Sequence, residues 1–183
     1  MSERNKKMSE DKRIKHTKQR IAEAMIDCLQ KISLDSVTVK KLCEVADINR
    51  STFYAYYADP FELYEVLEKG ALEGLDVYFS KLKANDLSYR DFLKHMISYI
   101  ETHEKVFLAL IKTNSSSLKA ASIAQIEKLG MFDFPQLKDY KDYAMEYFIS
   151  GALSTITKWL SDGKKQPAEK LAELLYGLTV GKK

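Results

Sequence analysis

The chain has 183 residues, 45% hydrophobic and 30% charged, with a net charge of +3. That size suits one large globular unit or a small domain joined to a larger one, and the near balance of charge excludes a uniformly basic coat protein. No run of about 18 apolar residues occurs, which excludes a transmembrane helix. The basic start lacks the apolar stretch of a secretory signal, so a cytoplasmic location with no membrane partner is expected.

The charge is uneven. Eight basic and three acidic residues fall within Met1–Arg20, a surplus larger than that of the whole chain. Residues 1–11 are expected to form a flexible basic arm near a polyanion; a solvated tail is the alternative. Glycine and proline are scarce, at 7 and 3, and apolar residues recur at three- and four-residue spacing. The pattern predicts an all-α fold.

A first helix is expected over roughly Lys12–Ile32, with Ile21, Met25, Cys28 and Ile32 as its stripe. After a short connection, Ser33–Val37, Thr38 is placed to cap a second helix whose inner face carries Val39, Leu42, Cys43 and Ala46. Asp47 ends that helix in a left-handed turn, Ile48 plugs the turn, and Asn49 caps a third helix through about Tyr57. Asp59 caps a fourth, with Pro60 in the first turn, where a missing N–H costs nothing. That helix runs to about Ala84. A break at Asn85–Leu87 follows, then a helix capped by Ser88 and ending near Thr102. Further helices are expected at Glu104–Thr113, Ser116–Leu129, Lys138–Ser161 and Pro167–Thr179, with a loop at Gly130–Gln136 and a break at Asp162-Gly163. Cys28 and Cys43 sit in helical apolar patterns, as reduced core thiols would.

The stretch Thr38–Tyr57 has the size of a helix-turn-helix, whose second helix enters the DNA major groove. Phe53 and Tyr57, four apart, pack inward with Ile48. Arg50, Ser51, Tyr54 and Ala55 then face outward, flanked by Thr52 and Tyr56. Small side chains permit close approach, arginine donates two bonds to a guanine edge, and hydroxyls bond phosphate. The bland alternatives are a solvated Arg50 and a core Tyr54.

The sequence TVKKLCEVADINRSTFYAYY, residues 38–57, resembles the helix-turn-helix of TetR/AcrR-family transcriptional regulators. Ala46, Ile48, Thr52, Phe53, Tyr54 and Tyr57 fit the family pattern, and Asp59, Glu62 and Leu63 fit its next element. The resemblance covers about Thr17–Leu67. It implies that Thr38 and Lys40 reach DNA, that Arg50, Ser51 and Thr52 meet base edges, and that Tyr54 and Tyr56 hold phosphates; Lys41 and Asn49 are further DNA-binding candidates. Two positions depart from the family: Asp47 replaces the usual turn glycine, and Pro60 stands where many members have a lysine. Phosphate grip is then expected to shift to Lys40, Lys41 and the arm.

These boundaries imply a helix-turn-helix domain over 12–59 and a helical dimerisation and sensing domain over 60–183. The pattern Phe148-x-x-Gly151 with Trp159-Leu160 near Gly163 is similar to the C-terminal signature of a TetR subgroup that includes the dihydroxyacetone-kinase operon activator. In the family the last two helices pair with their twins as a four-helix bundle. Phe148, Leu153, Ile156, Trp159, Leu160, Leu171, Leu174, Leu175 and Leu178 are the resulting homodimer candidates, with intramolecular core as the alternative. A dimer would read a palindromic operator on double-stranded DNA, and the fourth helix would act as the lever between head and body. Phe79, Phe92, Met96, Phe107 and Tyr147 are candidate walls of an apolar effector pocket; ordinary core packing is the alternative.

The expected function is a sequence-specific regulator, a repressor released by a small apolar effector, or else an activator or repressor controlled by a protein partner. An adaptor without DNA binding is the remote alternative. An enzyme is not expected: His16, His95 and His103 have no metal-ligand spacing, and no phosphate loop or nucleophile–base pair is present. No cofactor or metal is implied.

Overall fold

The computed structural model describes residues 3–84, 86–129 and 139–180. All regular structure among the described residues is helical, in agreement with the expected all-α class. Contacts divide the chain into two units, Met1–Lys69 and Gly70–Lys183. The division lies within the fourth helix rather than at residue 59. Leu63 and Tyr64, buried in the first turns of that helix, belong to the first unit.

In the first unit, α1 spans Glu3–Leu29. It opens before the expected Lys12, so the stretch expected as a flexible arm is helical backbone from Glu3 onward; Met1 and Ser2 lie outside the described residues. No glycine or proline interrupts this stretch, and Lys, Arg, Glu and Met propagate a helix well. A turn of 3-10 helix at Leu34–Ser36 leads to α2, Val39–Ala46, and then to the short α3, Arg50–Tyr54. Helix α1 packs on α2, and α2 on α3. Ile21, Met25 and Leu29 of α1, Leu42 of α2 and Phe53 of α3 form the dry centre. Helix α4, Pro60–Lys83, carries the chain into the second unit. The Asp59 carboxylate accepts from the N–H groups of Phe61 and Glu62 at 2.8 and 2.9 Å. The Glu62 carboxylate reaches back to the N–H of Ala58 at 2.5 Å. Two orphan donor sets at the helix start are thereby satisfied, close to the reciprocal capping seen in S/T/D-x-x-E sequences.

The second unit holds the rest of α4 with α5 (Tyr89–Thr102), α6 (Glu104–Leu129), α7 (Lys141–Ser161) and α8 (Ala168–Val180). Ser88 caps α5 as expected, its hydroxyl accepting from the Asp91 N–H at 3.1 Å. The two helices expected between Glu104 and Leu129 meet at a kink within α6, where Asn114 leaves helical geometry (φ −154°, ψ 80°) and its side-chain oxygen accepts from the Ser117 N–H. Asn114 thus stands as the N-cap of the second of these two helices and satisfies one of the N–H groups that the kink frees. The loop expected at Gly130–Gln136 lies outside the described residues.

Helix α5 packs along α8, and α6 along α7. Lys94 bridges Glu169 and Glu173 at 3.1 and 3.5 Å, and Arg90 lies over the Tyr176 ring at 4.6 Å. Gly74 on α4 meets Tyr99 of α5 so closely that a Cβ there would lie 1.8 Å from the tyrosine oxygen. A larger residue at Gly74 would have to displace the Tyr99 ring. Past α7, Gly163 and Lys164 both adopt positive φ, 79° and 55°, and the Trp159 indole N–H donates to the Gln166 carbonyl at 2.7 Å.

Burial corrects most of the expected dimer contacts. Ile156, Trp159, Leu160, Leu171 and Leu175 are buried within the chain's own fold, because α8 turns them toward α5 and α7 turns them inward at helical spacing. Phe148 and Leu153 are half-buried and line an internal cavity. Of the nine, only Leu174 and Leu178 stay exposed, at 51% and 62%. Tyr140, Tyr143 and Tyr147 on α7, which the sequence reading left out of the interface, are more exposed still.

Candidate nucleic-acid interface and cavity

The helix-turn-helix is fastened at each joint by a specific bond. The Thr38 hydroxyl caps α2 by accepting from the Lys41 N–H at 3.2 Å. At the other end Asp47 takes the left-handed conformation, φ 50° and ψ 57°. The Ile48 N–H reaches the Cys43 carbonyl at 3.0 Å, a closure that satisfies an orphan carbonyl of the helix end. Left-handed backbone costs a non-glycine residue, and aspartate less than most. Here Arg20 of α1 also holds the turn, donating to the Asp47 carbonyl at 2.8 Å and to its carboxylate at 3.2 Å. The sequence reading counted Arg20 only as one of the N-terminal cations. Its partner lies 27 residues away, and nothing local signals the pairing.

Helix α3 then sorts its residues by face. Phe53 is fully buried and Tyr57 nearly so, their rings 5.8 Å apart. Arg50, Ser51, Tyr54 and Ala55 are exposed together, Tyr54 at 57%, and Thr52 and Tyr56 are half-buried at the edges. The Tyr54 ring stands edge-on to Phe53, which holds the phenol upright at the surface. Asn49 occupies the N-cap position but makes no side-chain capping bond; only its carbonyl serves the helix, accepting from Thr52 and Phe53. Its side chain is therefore not spent on the cap. Lys40 and Lys41 are exposed, Lys40 loosely paired with Glu44 at 3.9 Å. Lys18 of α1 sits over the Tyr56 ring at 5.4 Å, which sets a further cation beside α3 that the sequence reading did not single out. Burial pushes the Cys43 thiol up from its ordinary range, against the pull of Arg50, and burial does the same for Cys28.

The second unit contains a partly open cavity of about 320 Å3 between α4, α5, α6, α7 and α8. All five expected wall residues line it: Phe79, Phe92, Met96, Phe107 and Tyr147. Phe79 and Phe92 pack with centroids 4.9 Å apart and rings tilted by 52°, while Tyr147, 75% exposed, stands at the rim. Tyr89, Ser122, Thr155 and Thr179 also line it and were missed. Hydroxyl residues scattered over four helices carry no sequence signal until the helices are packed.

A family model for the C-terminal region of a TetR-type transcriptional regulator matches residues 88–181, just over half of the chain. The chain belongs to the TetR family of transcriptional regulators. Among solved structures, a TetR regulator from Streptococcus agalactiae 2603V is similar over 96% of this chain and 99% of that one, at 23% identity and a TM-score of 0.62. A TetR/AcrR-type regulator from Aquifex aeolicus VF5 is similar over 90% and 98%, at 18% identity and a TM-score of 0.63. The dihydroxyacetone kinase operon activator DhaS is similar over 90% and 94%, at 20% identity and a TM-score of 0.52. At these identities the likeness is one of fold. No curated protein matches the sequence.

TetR-family membership makes this chain a regulator of transcription rather than an enzyme. Regulators of the TetR family bind DNA and small-molecule effectors as dimers. No described helix is long and apolar enough to cross a membrane.

Proposed function

We propose that this TetR-family chain is a cytoplasmic homodimer that binds a pseudo-palindromic operator through α3 and leaves it when an apolar small molecule enters the cavity. The observation that carries the DNA half is the outward face of α3, where Arg50, Ser51 and Tyr54 stand exposed while Phe53 and Tyr57 anchor the helix from behind. Arg50 is assigned to a base edge, with Ser51 and Thr52 beside it. Tyr54, Tyr56, Lys18, Lys40, Lys41, Thr38 and Asn49 are assigned to phosphates and the groove wall.

The dimer is supported by apolar surface on the last two helices. Tyr140 stands just before α7 and Tyr143 in its first turn, and Leu174 and Leu178 are one turn apart on α8, all at least half exposed. Monomers seldom leave such a patch in water. A concave, largely apolar cavity favours a small effector over control by a protein partner.

Selection of bound duplexes from a random pool tests the reading. A motif with two inverted half-sites spaced by about 34–36 Å or a multiple is expected. Recovery of no motif at low salt would overturn it.

A further inference from the structure

Resting on the reading of the cavity as an effector site, we infer that it selects an uncharged, apolar ligand that carries a hydrogen-bond donor such as a hydroxyl, and rejects carboxylates of the same shape. No Asp, Glu, Lys, Arg or His lines the cavity among the described residues. An anion entering it would lose its water without gaining a cation, a cost that only pairing offsets. The polar groups on the walls are hydroxyls, and their protons are already committed. Ser122 donates to the Leu118 carbonyl at 2.8 Å and Thr155 to the Gly151 carbonyl at 2.8 Å. Tyr89 donates to the Thr179 hydroxyl at 3.4 Å, and Thr179 in turn to the Leu175 carbonyl at 2.8 Å. Tyr89 and Thr179 thus serve each other. Ser122 and Thr155 retain lone pairs that accept from nothing among the described residues, and a hydroxyl that donates still has acceptor capacity. The walls therefore offer acceptors and withhold donors. Tyr147 brings one more hydroxyl, but at an exposed rim where water competes for it.

The chemistry that fits is an alcohol or phenol on an apolar frame, its O–H donated to Thr155 or Ser122. An ether or ester of the same frame brings only acceptors and meets acceptors. A carboxylate adds a charge that nothing on the walls neutralises.

Three probes with one chain length separate these cases: 1-decanol, 1-methoxydecane and decanoate, each titrated into the full-length protein near neutral pH and followed by calorimetry. Decanol is expected to bind about tenfold or more tightly than either of the others. The double variant Ser122→Ala/Thr155→Val should bind methoxydecane as before and lose the preference for decanol, while Tyr147→Phe should keep it. Decanoate binding as well as decanol would overturn the head-group inference and leave the cavity as an effector site. A preference that survives the double variant, or vanishes in Tyr147→Phe, would overturn the assignment of the acceptors. Failure of all three probes to bind would remove the cavity reading itself, and with it this inference.

Discussion

Arg50 and Arg20 are both arginines of the first unit, yet their surroundings give them separate tasks. Arg50 is exposed on the outward face of α3, so Arg50→Ala should leave folding intact. It should cost about 1–3 kcal/mol of operator binding and relax preference at one or two base pairs per half-site. Competition binding against operators altered base by base reads this directly; equal loss on every sequence would make Arg50 a phosphate contact. Arg20 instead holds the Asp47 turn through a backbone carbonyl. Arg20→Met should lower the stability of the first unit by about 0.5–1.5 kcal/mol, since two solvent-screened bonds to Asp47 are lost while the apolar stem is kept. Denaturant unfolding followed by far-UV dichroism measures that change. The inward and outward faces of α3 were legible in the sequence because helical period alone separates Phe53 and Tyr57 from Arg50 and Tyr54. The Arg20–Asp47 and Lys18–Tyr56 pairs were not, since each joins residues brought together only by the packing of α1.

At the scale of elements, the caps were the most readable features. Thr38, Asp47, Asp59 and Ser88 each do what their chemistry predicts, because a cap is a local arrangement of one side chain and the next turn of backbone. Asp59→Ala should cost about 1 kcal/mol through the loss of two N–H partners at the start of α4, measured as a fall in unfolding free energy. The leucines and aromatics of α7 and α8 were harder to place for the opposite reason. Periodicity shows that a face is apolar but not whether its partner is the same chain or another, and here most of that face is used internally. The ion pairs of this unit titrate in known directions. The Glu146 carboxyl is held below its usual range by hydrogen bonds from Lys119 and Ser150, so the stability it lends is present above the ordinary carboxylate pKa and is lost as pH falls through the lowered value. Lys164 is held above its usual range by Glu104, so its contribution is present below the ordinary lysine pKa and is lost as pH rises through the raised value. Thermal unfolding of Lys119→Met against the parent should converge at acidic pH and separate near neutrality.

For the molecule as a whole, two measurements decide the proposed mode of action. Operator affinity should fall steeply with salt if, as proposed, Lys18, Lys40 and Lys41 act on phosphates. The slope of log affinity against log salt for the double variant Lys40→Gln/Lys41→Gln should be shallower by roughly two. Sedimentation should find a dimer, and Leu174→Lys/Leu178→Lys should convert it to monomer without unfolding, since both side chains are at least half exposed. The all-helical class was readable throughout, being written in spacing. The cavity was readable only in part: its aromatic walls announced themselves as stripes, whereas its hydroxyls needed five helices in place.

The chain contains a single tryptophan, Trp159, seven per cent exposed in the second unit and tethered through its indole N–H to Gln166. Emission excited at the red edge of the indole band therefore reports on that unit alone, while dichroism sums over every helix. Midpoints that differ between the two signals would reveal the head and body melting as separate thermodynamic entities; coincident midpoints would mean that neither outlives the other.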